Sequence, residues 1–424
     1  MICMTNFPNP IPMIGNELFR ALPVAFCLSE YKNYTKYYKQ LKYYKLSGFI
    51  IIVLLGTLLF LIHSPHSHES LKTVVVHIIS NLFQTYLVFP ILFCLCLKSF
   101  DISRLYKVVY YCLLFITFWG VINLILHRGI FIDILYSGRD VVSYMSDLGM
   151  KYSNSDRFRV QSVFLNAFNY GYINLMILLF NLYCYNTKVE SVSRFRFVIS
   201  LGCTLFGIYF CNCRTVLLCF LVSLIVYALL AFKFGKKIRI LILSTIVGVF
   251  ILNYTQLGSA ITERIVSVFS DQQMSGSSSM SMRETQWLTV LSLTKDKMLL
   301  GNGDGYFFKD LNFKSGESDV QGLMALEGIY LQYILERGIV GLVYYYTIWL
   351  GLIIYMLRRR NKDHITVAFG ISIVSTYLAF AHATGELQSL LPTLFFMGIA
   401  IYVINTNDKN VYFQTKHLTN EIKS

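Results

Sequence analysis

Long apolar runs alternate with short polar segments along the whole chain. Each run has roughly 16 to 27 residues, which matches the ~20 residues that an α-helix needs to cross a bilayer. We expect ten spans, at residues 47–63, 71–97, 105–126, 162–184, 197–212, 215–232, 238–253, 338–357, 365–382 and 389–405. The segment 12–28 is a further candidate for a short or re-entrant helix, although its prolines, Glu17 and Arg20 weaken that interpretation. The pattern predicts an all-α, polytopic integral membrane bundle of about 10–12 transmembrane helices.

The composition fits a membrane environment. Apolar residues make up 55% of the 424 residues, aromatic residues 16% and charged residues only 14%, which is too apolar for a soluble domain of this length. The formal net charge of +14 comes from basic residues spread between the spans, so we expect no nucleic-acid partner. Most of the cysteines lie inside apolar runs without the paired CxxC spacing of a zinc site, and we expect no metal.

Basic residues in alternate loops predict the orientation in the membrane. The positive-inside rule assigns to the cytoplasm the loops that carry Lys98, Arg104 and Lys107, then Lys188, Arg194 and Arg196, then Lys233, Lys236, Lys237 and Arg239, then Arg358, Arg359, Arg360 and Lys362. Both termini then lie inside, and the two longest loops, 127–161 and 254–337, lie outside. The N-terminus lacks the pattern of a cleavable signal peptide.

This topology divides the chain into five parts. We expect a basic cytoplasmic N-terminal segment, a first transmembrane bundle, a large outer loop that carries short helices and catalytic elements, a C-terminal set of transmembrane helices and a cytoplasmic tail. Their bounds are 1–46, 47–253, 254–337, 338–405 and 406–424.

The outer loop contains a predicted helix with an arginine in its first turn. Ser281 and Glu284 have the S-x-x-E spacing of a capping box, which places Arg283 where free backbone N–H groups favour an anion. A guanidinium there can bind phosphate oxygens bidentately. A solvated arginine at a helix end is the alternative. The next segment, "LLGNGDGYF", lacks the lysine of a phosphate loop and is interpreted as a tight turn with positive φ at its glycines.

Other basic residues lie on the predicted outer side, where the positive-inside rule leads us to expect few of them. Arg157 and Arg159 precede one span, Arg214 fills a short turn between two others, and Arg264 lies in the large loop. Each could be an interfacial anchor. Several arginines on one side of a membrane fit better with an anionic ligand such as a lipid diphosphate. His382, at an outer span end, is a further candidate for this site.

The stretch "MALEGIYLQYILERGIVGL" at 324–342 combines an acid with two glycines. If the helix is continuous, Glu327, Gly338 and Gly341 share one stripe at 100° per residue, with Glu336 and Arg337 at the outer interface. Small residues on a membrane helix let a neighbouring backbone or lipid chain approach closely. This stripe is interpreted as a functional acid above a lipid groove, or as a helix-packing face topped by a surface acid.

Four segments together resemble the superfamily of O-antigen ligases and O-antigen polymerases, the integral membrane proteins of bacterial surface-polysaccharide assembly. They are "RVQSVFLNAFNYG" from Arg159, "CNCRTVLL" with an Arg-Thr turn at Arg214, "RETQW…LLGNGDGYF" from Arg283, and "EGIYLQYILERGIVGL" from Glu327. The ligases typically have His-Asn, nine residues, then Gly-x-x-Gly in the last segment. This chain keeps that spacing but has Glu327 and Gly328 in place of His-Asn, which favours a polymerase over a ligase.

The resemblance implies a GT-C-like, metal-independent membrane glycosyltransferase in the bacterial inner membrane, with a large periplasmic loop. A hydroxyl of one undecaprenyl-diphosphate-linked oligosaccharide attacks the anomeric carbon of another, and undecaprenyl diphosphate leaves. Glu327 would act near the hydroxyl, and Arg283 with the other arginines would act on the diphosphate. We expect these lipid-linked donors and acceptors, membrane lipids and a chain-length regulator protein as partners, and no cofactor. An O-antigen ligase and a lipid-linked glycan flippase are the alternatives.

Overall fold

The described part of this computed structural model is helical. It comprises residues 56, 101–130, 158–164, 166–232, 280–303, 306, 328–361, 363–385, 389–390 and 392–404. Helix accounts for 81% and no strand occurs among these residues. Four of the described helices are long and apolar enough to cross a membrane. The prediction of an all-α polytopic membrane protein is therefore confirmed.

The described helices follow the predicted spans closely. They are α1 (Ile102–Leu126), α2 (Ala167–Asn186), α3 (Arg194–Phe210), α4 (Arg214–Ala231), α5 (Met280–Thr294), α6 (Ile329–Leu357), α7 (His364–Thr384) and α8 (Pro392–Ile404). The predicted spans at 47–63, 71–97 and 238–253 lie outside the described residues, as does the segment 12–28. Most of the described bounds agree within a few residues because long apolar runs fix where a helix can lie in a bilayer. The largest difference is at α6, which begins nine residues before the predicted span.

Polar side chains set the start of several helices. Asp101, Asn166 and Asp363 each precede a helix and accept a hydrogen bond from a backbone N–H of the first turn. Such caps satisfy donors that have no partner within the helix. The predicted cap at Ser281 is wrong because α5 already includes Met280.

Helix α2 lies at the centre of the bundle, and its contacts show whether each neighbouring helix runs parallel or antiparallel to it. The ring centroids of Tyr172 and Phe380 are 4.5 Å apart, and those of Tyr183 and Phe369 are 4.7 Å apart, so α2 and α7 run antiparallel. The Asn186 amide donates to the Tyr227 hydroxyl at 3.0 Å, while Gly171 lies against Val216, so α2 and α4 run parallel. The end of α7 and the start of α4 therefore share one end of the bundle.

Other elements meet at this same end, which we call the site end. Tyr172 and Thr393 share a hydrogen bond of 2.6 Å between their hydroxyls, which brings the start of α8 there. The backbone N–H of Val160 donates to the carbonyl of Phe210 at 3.0 Å, which adds the end of α3. The site end thus contains residues 158–164, the turn between α3 and α4, and the end of α7.

Helix α6 is broken at Gly338, where φ is 62° and ψ is −163°. The rings of Tyr333 and Tyr345 lie on opposite sides of the break with centroids 4.8 Å apart. In a straight helix their Cα atoms would be ~18 Å apart, so the segments 329–337 and 339–357 meet at a sharp bend. The helix is therefore not continuous across Gly338, and the condition for one stripe from Glu327 to Gly341 is not met. Gly328, with φ 124° and ψ 121°, already lies outside the helix.

Candidate functional site

A short loop closes the break in α6 mainly by backbone hydrogen bonds. The N–H groups of Ile339 and Val340 donate to the carbonyls of Met298 and Leu299 at 2.9 and 3.1 Å. In the opposite direction, the N–H groups of Asn302 and Gly303 donate to the carbonyls of Leu335 and Glu336 at 2.9 and 2.8 Å. A helix break leaves donors on one side and acceptors on the other without partners. Residues 298–303 satisfy both sets, and we call this arrangement the joint.

Glycines allow the two backbones of the joint to approach. Gly301 and Gly303 have φ of 72° and 108°, which confirms the predicted turn with positive φ at these two positions, whereas Gly305 lies outside the described residues. A Cβ atom at Gly338 would lie 2.4 Å from the carbonyl oxygen of Leu299, and one at Gly301 would lie 2.5 Å from the backbone nitrogen of Arg337. The space that a side chain at position 338 would need is therefore occupied by the backbone of residues 298–299.

Charged residues beside the joint pack against other parts of the protein. Glu336, predicted at the outer interface, is only 5% exposed, and its carboxylate accepts a hydrogen bond from Gln332 Nε2 at 3.3 Å. The Arg337 guanidinium lies over the Tyr333 ring, 4.9 Å from its centroid. Gly341 is also buried, against the Cβ atom of Arg337. These contacts hold the bend in α6 from within.

The side chain of Asn302 supports the joint from the α5 side. It is buried, and its Nδ2 lies 3.1 Å from the Leu293 carbonyl and 3.3 Å from the Leu335 carbonyl. We expect Asn302→Ala to lower the free energy of unfolding by about 1–3 kcal/mol, since the hydrogen bonds from the side-chain amide to two carbonyls are lost. Thermal unfolding of the detergent-purified protein measures this loss. The exposed substitution Ser292→Ala on α5 is the control, and equal unfolding temperatures for the two variants would contradict the role of Asn302.

The structure brings together two of the predicted site residues, Arg283 and His382. Arg283 Nη2 donates to the carbonyl of Ala383, the residue after His382, at 3.1 Å. Both side chains are half-buried. A cation from α5 and an imidazole from α7 thus lie at the same place on the site end, although Arg283 and Ala383 are separated by 100 positions in the chain.

His382 is held by contacts on both of its ring nitrogens. Its Nδ1 lies 2.6 Å from the Leu378 carbonyl, and its Nε2 is hydrogen-bonded to the Tyr346 hydroxyl. The ring stacks with those of Tyr330 and Tyr346 at centroid distances of 5.8 and 5.6 Å. The orientation of the imidazole is therefore fixed.

Aromatic residues from α5 and α6 cluster beside this histidine. Trp287 of α5 is 37% exposed and its ring lies 6.1 Å from that of Tyr330. The sequence indicates no site role for Trp287, Tyr330 or Tyr346. Their convergence depends on the bend in α6, which places both tyrosines beside α7. The triple tyrosine at 344–346 was the only signal in the sequence, and it is also compatible with an ordinary span.

Gly328 packs directly against the same cluster. A Cβ atom there would lie 2.7 Å from Tyr330 Cε1 and 3.0 Å from the His382 carbonyl oxygen, and its φ of 124° suits only glycine. Glu327, the candidate base, precedes Gly328 in the chain but lies outside the described residues. Arg157 and Arg264 also lie outside them.

Arg159 and Arg214 lie on adjoining segments of the site end. The Asn212 amide donates to the Phe158 carbonyl at 3.2 Å, which ties the turn before Arg214 to the residue before Arg159. Arg159 lies over the Phe168 ring, 5.8 Å from its centroid, and both arginines are half-buried. Because α4 and α7 run antiparallel, these arginines lie at the same end as Arg283 and His382.

A comparison with known protein families gives a match to a segment that contains most of the residues described above. Residues 199–346 match the family model described as O-antigen ligase. The resemblance to the O-antigen ligase and polymerase superfamily is thereby confirmed for this segment. The O-antigen ligase match includes Arg214, Arg283 and Gly338, and it ends at Tyr346, before His382. No curated protein matches the chain significantly. Together with the apolar helices, the match indicates a membrane enzyme of the glycosyltransferase type.

Proposed function

We propose that this chain is a polysaccharide polymerase that joins undecaprenyl-diphosphate-linked oligosaccharides on the outer face of the bacterial inner membrane. The observation that carries the proposal is the contact between Arg283 and the end of α7 beside His382. It supports the proposal because a guanidinium, which can bind phosphate, and an imidazole, which can accept a proton, lie close together at one end of a membrane bundle. The O-antigen ligase match supports the same class of reaction.

The reaction makes three demands that the site end can meet. The attacking sugar hydroxyl needs a proton acceptor, the departing diphosphate needs positive charge, and the lipid tail needs an apolar surface. Arg283 is the first candidate for the diphosphate, with Arg159 and Arg214 from the neighbouring segments. Glu327 is the acceptor that the sequence proposes. The spans themselves supply apolar surface for the carrier lipid.

The departure from the ligase motif favours polymerisation. The chain has Glu327 and Gly328 where ligases typically have His-Asn, and Gly328 has a φ of 124° with Tyr330 and the His382 carbonyl in the way of a Cβ atom. An asparagine at position 328 would be strained and would clash there. Repeat units on lipid carriers serve as both donor and acceptor in this proposal, and a chain-length regulator protein is a partner.

Deletion of the gene in its source strain tests the proposal. Surface glycan is then separated on a gel. A polymerase deletion leaves lipid A core with a single repeat unit, whereas a ligase deletion leaves none attached. An unchanged ladder would refute both types of glycosyl transfer.

The role of Glu327 has its own test. We expect Glu327→Ala to abolish polymer while the protein stays in the membrane. If Glu327 is the proton acceptor, Glu327→Gln does the same, because an amide cannot accept the proton. Complementation of the deletion strain and a gel of the surface glycan measure both. Normal chain length with Glu327→Gln would eliminate the base role and leave a packing role for this position.

A further inference from the structure

A tyrosine and a histidine form a hydrogen-bonded pair beside Arg283. The Tyr346 hydroxyl contacts His382 Nε2, and Arg283 is bonded to the carbonyl of the residue that follows His382. Tyr346 comes from the segment 339–357 and His382 from the last turn of α7. Both side chains are half-buried, so each has a surface that a ligand can reach.

The hydrogen bonds determine where the protons lie. The Leu378 carbonyl, 2.6 Å from His382 Nδ1, can only accept, so Nδ1 carries a proton. In a neutral imidazole the other nitrogen, Nε2, then has a free lone pair. The Tyr346 hydroxyl donates to that lone pair, and the phenol oxygen keeps its own lone pairs for another donor.

The surrounding aromatic rings fix the orientation of the Tyr346–His382 pair. Tyr330 and Tyr346 stack on the imidazole within 6 Å of its centroid, and Tyr345 lies 6.5 Å away. Fixed orientation is what a proton acceptor needs, because proton transfer requires the donor and acceptor atoms at hydrogen-bond distance. The bend at Gly338 is what allows Tyr330 and Tyr346 to reach the same histidine.

We infer that Tyr346 and His382 form a proton relay that takes the proton of the attacking sugar hydroxyl in place of Glu327, which then only accepts a hydrogen bond from that hydroxyl. The inference rests on the proposed function. As the hydroxyl oxygen bonds to the anomeric carbon of the donor, the bond from that carbon to the diphosphate breaks, and its electron pair leaves with the diphosphate. The hydroxyl proton passes to the Tyr346 oxygen while the Tyr346 proton passes to His382 Nε2. His382 becomes an imidazolium and later releases its proton to water.

The neighbouring charge fits this step. Arg283 from α5 is bonded to the carbonyl of Ala383, the residue after His382, and Tyr330 and Tyr345 of α6 lie beside the imidazole. A diphosphate bound by Arg283 would bring its negative charge close to the imidazolium that forms, which offsets the repulsion between the two cations. Tyr346 is then a catalytic residue that touches the hydroxyl, and His382 is a positioning residue that acts through it.

Kinetics of the full-length protein in lipid nanodiscs test the relay. The substrate is the lipid-linked repeat unit extracted from the deletion strain, and rates are normalised to the amount of protein. We expect Tyr346→Phe, which keeps the stacked ring, and His382→Gln each to lower kcat by about 10²- to 10⁴-fold with KM unchanged. Tyr111→Phe, at a position on α1 that is 62% exposed, is the control and should leave both constants unchanged.

The outcomes separate the relay from the proposed function. If the wild type forms polymer and Tyr346→Phe has a kcat close to that of the wild type, the relay is overturned and the proposed function stands. A rise in KM at full kcat in either variant would also overturn it, since the pair would then only bind substrate. Failure of the wild type to lengthen the lipid-linked unit would overturn the proposed function and the relay with it. A second readout is rescue of His382→Ala by added imidazole, which a purely structural histidine would not show.

Discussion

Replacement of Gly338 by alanine is expected to lower strongly the amount of folded protein in the membrane. The backbone there has φ 62° and ψ −163°, a conformation that costs a non-glycine residue about 1–3 kcal/mol. The new methyl group would also lie 2.4 Å from the Leu299 oxygen and 2.6 Å from the Met298 oxygen. Those two atoms accept hydrogen bonds from Ile339 and Val340, so they cannot move aside without breaking the joint.

The total loss at Gly338 is several kcal/mol, on the order of 3–5, which is a large part of the stability of a typical protein. Protein level and unfolding temperature, followed by size-exclusion chromatography of a fluorescent fusion, measure it. Gly351→Ala is the matched control, because Gly351 lies in the same helix with nothing within 4 Å of a Cβ atom. Equal behaviour of the two variants would show that the joint does not stabilise the protein.

Arg283→Ala is expected to abolish polymer without loss of the protein from the membrane. The half-buried guanidinium donates to the Ala383 carbonyl, and in the proposed reaction it also carries charge for the departing diphosphate. Removal of one such donor typically lowers kcat by about 10²- to 10³-fold. Arg283→Lys keeps the charge but not the planar fork, so we expect an intermediate rate.

Turnover of the extracted lipid-linked unit measures the effect of Arg283. Arg104→Ala is the control, because the Arg104 side chain is 86% exposed and pairs only at the surface with Asp101 near the start of α1. The prediction fails if Arg283→Ala forms polymer at the wild-type rate. It also fails if Arg283→Ala and Arg104→Ala are equally impaired, since general loss of surface charge would then be the cause.

The positions of the membrane helices could be predicted from sequence because they depend on local composition. The apolar runs at 215–232 and 365–382 correspond to α4 and α7 within two residues. The break in α6 could not be located in this way. Glycine in a membrane helix is compatible with both close packing and a bend. Here the backbone groups at the bend form hydrogen bonds with residues 298–303, which lie far away in the chain.

The sequence predicts that Arg283 and His382 belong to one outer site, but it does not predict how they meet. Only the fold shows that the Arg283 side chain reaches the carbonyl after His382. The triple tyrosine that contains Tyr346 does not indicate a histidine partner, because that partner lies on another helix. The roles of Arg159, Arg214 and Gly341 in binding stay predictions, as do those of Glu327, Arg157 and Arg264.

The joint has a consequence for how freely this region can change in evolution. Its four hydrogen bonds join backbone to backbone, so they place no demand on the side chains of Met298, Leu299 or Ile339. The restrictions fall on Gly301 and Gly338, where a side chain would meet backbone atoms, on Gly303, whose φ is 108°, and on Asn302, whose amide donates to the Leu335 carbonyl. Related chains could therefore diverge at the other positions of the joint and keep its geometry, provided that these residues persist. Distant relatives would be recognised better by such a sparse pattern than by overall similarity.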